Sequence, residues 1–94
     1  MYLHLGQSVM VPEAAVIGVF DLDNTTWSFR TRHFLERAEQ EGRVVAVGDD
    51  LPRSFVLTQE GDGPPVVYIT QLAPATLEKR AESGAWYFFF QEKL

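Results

Sequence analysis

The sequence predicts an α+β domain built on a small, mostly antiparallel sheet with one long and one short helix. Three observations predict it. Short apolar or alternating runs recur along the chain, each bounded by turn-forming residues. One stretch, around residues 28–41, carries apolar residues at helical spacing. A second, opened by Pro74, does so more briefly.

Met1 to Leu5 reads as an edge-type strand, with Met1, Leu3 and Leu5 alternating against Tyr2 and His4. Gly6-Gln7-Ser8 supplies a turn and Val9 to Val11 a return strand, so the two form a hairpin. Pro12-Glu13-Ala14 is a connector. The best strand follows, Ala15 to Asp21 or Leu22. Strict alternation puts Ile17, Val19, Asp21 and Asp23 on one face and Val16, Gly18, Phe20 and Leu22 on the other. Apolar residues on both faces mark a strand covered on both sides.

The first helix spans about Ser28 to Glu41, with Thr25, Thr26 and Ser28 as candidate N-caps. Thr31, Phe34, Leu35 and Ala38 form its apolar stripe. Arg32 with Glu36, and Arg37 with Glu41, can pair one turn apart for about a few tenths of a kcal/mol each. Gly42 is the natural stop. Arg43 to Val47 is a short strand, and Gly48 to Pro52 a loop. Arg53 to Gln59 and Val66 to Leu72 are strands joined through Glu60 to Pro65, and strands connected this way pair antiparallel. The second helix turns Leu77 and Ala81 inward and ends at Gly84. In Trp86-Tyr87-Phe88-Phe89-Phe90 aromatics then run together, a hazard if left exposed. They are expected to add a strand, fill a subunit contact, or pack on their own domain. The organisation is therefore one domain over residues 1–84 with an aromatic tail over 85–94. Two apolar sheet faces against so little helix imply cover from another strand layer or another subunit.

Ninety-four residues make one domain with a modest core, a size at which oligomerisation is a common remedy. The formal net charge of −5 argues against indiscriminate nucleic-acid binding by the monomer surface, though not against a local basic patch. Without cysteine there is no disulfide framework and no thiolate metal site. The two histidines, His4 and His33, are expected to pack in their strand and helix rather than ligate a metal, and no cofactor is expected. Neither a signal peptide nor a membrane span is legible, so the expected setting is the cytoplasm, without a membrane partner.

One pattern invites a catalytic reading. An apolar strand ending in Asp21-Leu22-Asp23-Asn24-Thr25 resembles the first motif of haloacid dehalogenase phosphatases. There the first Asp is a nucleophile, the second an acid/base, and Mg²⁺ binds through hard oxygen ligands. Asp49 and Asp50 resemble that family's last acidic motif. Three facts oppose it. Such enzymes need a doubly wound domain that this chain is too short to build. Between Asp23 and Asp49 there is room for one helix and one strand. The intervening lysine is missing, since no Lys precedes Lys79. A turn and helix cap account for the same residues, because Asp, Asn and Thr bond nearby backbone groups. No catalytic residue, metal site or small-molecule substrate is therefore assigned.

Longer blocks carry a broader resemblance: MYLHLG at residues 1–6, IGVFDLDNTT at 17–26, FLERAEQEGRVV at 34–45, DLPRSFVLT at 50–58 and VYITQLAPATLEKRA at 67–81. Over residues 1–82 the chain resembles the bacterial extracellular matrix regulatory protein family, RemA and RemB, and is nearer the RemB branch. The resemblance implies a LytTR-like fold. It also implies a non-enzymatic transcription regulator of the biofilm-matrix type, acting as a homo-oligomer, ring-shaped as in the RemA branch, on double-stranded DNA. In such a ring, repeated subunits multiply weak phosphate contacts. In the RemA branch adjacent arginines precede the strand that here begins near Arg53. Here the region reads Asp50-Leu51-Pro52-Arg53, with one arginine and two acids just upstream. An oligomeric protein-interaction module that does not bind DNA is the alternative.

Three arginines are the candidate nucleic-acid contacts. Arg53 follows a proline-fixed loop and opens a strand, so it projects from a rigid base; an ion pair with Asp49 or Asp50 is the competing role. Arg30 and Arg32 stand at the positive end of the helix macrodipole, where cations are unfavourable unless they meet an anion or are neutralised by Asp21 or Asp23. Lys79 and Arg80 read as solvated helix-surface residues, paired in part with Glu78 and Glu82. Trp86 and the phenylalanines after it could stack on bases, but packing suits them better without a basic cluster beside them.

Overall fold

The computed structural model describes residues 1–22 and 29–81 and the backbone of 89–90. Asp23, the N-cap candidates Thr25, Thr26 and Ser28, Glu82, Gly84, and Trp86 to Phe88 of the tail lie outside these residues.

Strands β1 (Tyr2–Gly6) and β2 (Val9–Pro12) form the expected antiparallel hairpin, pairing Leu3 with Val11 and His4 with Met10. Gly6 pairs with Val9, so Gln7 and Ser8 are the two loop residues, and their φ values of 50° and 66° mark a primed turn. The connector is a 3₁₀ turn, Glu13–Ala15, whose first amide donates to Met1 O at 3.0 Å. It leads into β3 (Val16–Asp21). After α1 (Phe29–Gln40) come β4 (Val44–Val47), β5 (Ser54–Thr58) and β6 (Val66–Thr70), then α2 (Pro74–Arg80) and the short β7 (Phe89–Phe90).

The main sheet has the order β4-β6-β5-β3-β7. The β3–β5 and β5–β6 ladders are antiparallel, as the loop between β5 and β6 implies, while β4–β6 and β3–β7 are parallel. The fold is α+β and mostly antiparallel. It is not the doubly wound parallel sheet a phosphatase would need, since Asp21 sits on a strand whose neighbour β5 runs the opposite way.

The sheet is sandwiched. On one face the hairpin supplies Leu3, Leu5 and Val11 and α2 supplies Leu77, packed on Val16, Val19, Val47 and Val56. The extra strand layer that the apolar sheet demanded is thus the chain's own hairpin. Leu3, Leu5 and Leu77 are fully buried, worth roughly 1.5–3 kcal/mol each relative to exposure. On the other face Phe34, Leu35 and Ala38 of α1 meet Phe55, Val67, Phe20 and Ile69, which is the stripe read from helical spacing. Two side-chain bonds fasten the first face: Thr70 Oγ1 donates to Leu5 O at 2.7 Å and Ser54 Oγ to Leu72 O at 2.6 Å.

Strict alternation fails once, in β3. Val16 pairs with Thr58 and Gly18 with Leu57, so Ile17 is the extra residue of a bulge. The bulge turns Ile17 out to 45% exposure and brings Val16 onto the same face as Val19. The assignment of Val16 to the face of Phe20 and Leu22 is corrected accordingly.

Helix α1 ends as its sequence requires. Gly42 adopts φ 74°, its amide donates to Glu39 O at 3.1 Å, and the Arg43 amide donates to Ala38 O at 2.8 Å. These are the two bonds of a Schellman stop. Of the two helix pairs, Arg37–Glu41 forms at 3.5 Å. Glu41 also takes the half-buried Arg43 at 2.7 Å, and Arg43 Nη1 donates to Pro65 O. The Arg43 hydrogen bond holds the Glu41 carboxyl below its usual value. Helix α2 stops at Arg80, before the expected Gly84. In the tail, the backbone of Phe89 and Phe90 lies parallel beside Val19 and Phe20.

Candidate functional site

Arg53 is held by its backbone from both sides. Its amide donates to Thr70 O at 2.9 Å, and its carbonyl accepts from the Leu22 amide at 2.8 Å. It continues the β5 ladder by one residue toward both neighbours, just ahead of the fully buried Ser54. The side chain is exposed. A long cation thus leaves the sheet from a fixed backbone position, next to the exposed residues Asp49 to Pro52.

The same end of the sheet holds the C-terminal ends of β3, β4 and β6, because β5 runs antiparallel to β3 and β6 while β4 is parallel to β6. Asp21 and the loop that starts at Gly48 therefore lie at this end. Arg37–Glu41 and Arg43–Glu41 are ion pairs among the described residues. Asp49 and Asp50 take part in neither.

Arg30 and Arg32 are exposed in the first turns of α1, where the helix carries no acidic residue. Neither pairs with Asp21, and Asp23 is outside the described residues. The structure gives the two different settings. Arg30 lines a groove with Phe20, Phe34, Phe55 and Leu57, whereas Arg32 does not. Arg30 thereby shares a groove with the paired residues Phe20 of β3 and Phe55 of β5.

The histidines depart from expectation. His4 and His33 are both exposed rather than packed in the core. His4 falls on the outward face of the hairpin, opposite Met10. His33 stacks on the exposed Phe29, one turn earlier, at 5.8 Å between ring centroids. Among the described residues no group of three or more His, Cys, Asp or Glu could hold a metal ion. Lys79 and Arg80 are exposed and make no ion pair with Glu78. Arg80 instead borders a shallow groove with His4, Gln7, Ser8 and Met10. No helix of the described residues is long and apolar enough to cross a membrane.

Sequence reading found Arg53 and the helix arginines individually. It missed the groove beside Arg30. The available signal was divided among Phe34 on a helix and Phe55 and Leu57 on a strand, each of which reads as ordinary core.

No family model matches the chain. Over 82 residues, 87% of this chain and 91% of the relative, the sequence is 32% identical to Extracellular matrix regulatory protein B of Bacillus subtilis (strain 168).

Proposed function

The chain belongs to the extracellular matrix regulatory protein family, and from that membership we propose that it is a non-enzymatic cytoplasmic regulator of transcription that contacts double-stranded DNA as a homo-oligomer. The observation that carries the reading is Arg53, an exposed cation whose own backbone is hydrogen-bonded to β6 and to the end of β3. A guanidinium on a fixed base loses less freedom on meeting a phosphate than one on a mobile loop. Arg30 sits toward the same end of the sheet and adds a second charge.

A single copy is a weak DNA ligand, because the chain carries −5 overall and only a few arginines at this end. Repetition changes that balance. Copies arranged in a ring bring their Arg53 side chains to one rim, and each further phosphate contact is made at high effective concentration. Asp49 and Asp50 work the other way, since both are exposed beside Arg53. They favour the second reading, an oligomeric protein-interaction module with an acidic rim. Sedimentation of the purified chain with and without duplex DNA tests the proposal. Assemblies larger than the monomer that bind DNA support it, and a chain that stays monomeric at high concentration contradicts it.

A further inference from the structure

Helix α1 packs over β4 and β6. Above β3 and β5 the same sheet face opens into a groove of about 240 Å³, lined by Phe20, Arg30, Thr31, Phe34, Phe55 and Leu57. At its base the Phe20 and Phe55 rings stack 4.6 Å apart, 11° from parallel, with Phe55 only 3% exposed. Among the described residues the lining is apolar except for Thr31 and Arg30, and none of it is acidic. Arg30 is exposed and makes no ion pair among the described residues.

We propose that this groove binds a small amphipathic acid, with its hydrocarbon or aryl body against the partly exposed Phe20, Phe34 and Leu57 and its carboxylate on the Arg30 guanidinium. Two features select the occupant. Among the described residues the one charge at the groove is the Arg30 cation, which attracts an anionic head group and repels a cation. The volume of about 240 Å³ is smaller than the ~300–1,000 Å³ of pockets that take larger ligands, which suits a small acid such as an eight-carbon or aryl acid. The body gains by leaving water, and the guanidinium orients the head with charge-assisted hydrogen bonds. The site goes beyond the regulator reading, and its test needs no DNA.

The test is an NMR titration of the full chain with octanoate, and with octanol as the uncharged probe of the same length. Saturable shifts are expected at the amides of Phe20, Thr31, Phe34, Phe55 and Leu57, with octanol weaker by about tenfold or more. Arg30→Gln, an exposed change that leaves the core intact, is expected to weaken octanoate by a similar factor and octanol hardly at all. Leu57→Trp fills the groove and is expected to abolish both. Arg37→Gln, away from the groove, is expected to change neither. Non-saturating or scattered shifts would overturn the site, as would equal affinity for octanol and octanoate. Shifts of the same amides that follow protein concentration instead of added octanoate would seat a second copy there and overturn it too.

Discussion

The Arg53 amide donates to the Thr70 carbonyl at 2.9 Å, and Thr70 in turn donates through Oγ1 to the Leu5 carbonyl at 2.7 Å. The candidate DNA-contacting residue is thereby linked, through one fully buried threonine, to the hairpin that covers the opposite sheet face. The position of Arg53 is a property of the folded core rather than of a surface loop.

Thr70→Val keeps the side-chain volume and removes two hydrogen bonds, the one to Leu5 O and the one Oγ1 accepts from the Leu72 amide at 3.2 Å. It leaves a buried carbonyl without its donor. The expected loss is about 1–3 kcal/mol, read as a lower urea midpoint with an unchanged slope.

The Gln7-Ser8 turn holds two ordinary residues at positive φ, a conformation that favours Asn and Gly. Ser8→Gly is expected to stabilise the chain by roughly 0.5–1 kcal/mol by relieving the left-handed backbone at φ 66°. Thermal unfolding measures it, and a lower midpoint would contradict the assigned turn.

Glu41 gives a pH dependence with a defined sign. Its folded-state value lies below the reference of 4.5, chiefly through the hydrogen bond from Arg43 and then through the charges of Arg43 and Arg37. A carboxyl with a depressed folded-state value stabilises the native state fully above its unfolded value, and that stabilisation is lost as pH falls through the folded value. Wild-type stability attributable to this group is therefore flat near neutrality and declines below about pH 4.5. Urea unfolding of Glu41→Gln against wild type is expected to show the largest difference at neutral pH, narrowing in acid.

Much of the fold was legible in local pattern. The spacing of Phe34, Leu35 and Ala38 gives α1 its buried stripe, Gly42 its stop, and the alternation of Phe55 and Leu57 with Val56 and Thr58 the two faces of β5. What escaped is set by partners distant in sequence. The bulge at Ile17 depends on how β5 registers against β3, and a run of apolar residues does not reveal which one is extra. The parallel pairing of β4 with β6 passes over β5, its sequence neighbour, which local signals do not encode. The same limit applies to the site. Arg53 could be read from its proline and strand, but the proximity of Arg30 to Phe20 and Phe55 exists only once the helix is docked.

The most direct measurement is fluorescence anisotropy of a labelled A·T-rich duplex at two salt concentrations, for wild type and for Arg53→Ala. The account predicts binding that weakens steeply with salt. It also predicts a marked loss in Arg53→Ala, with the salt slope reduced by about one for each subunit touching DNA. Absence of binding at low salt, or binding that Arg53→Ala leaves unchanged, would contradict it.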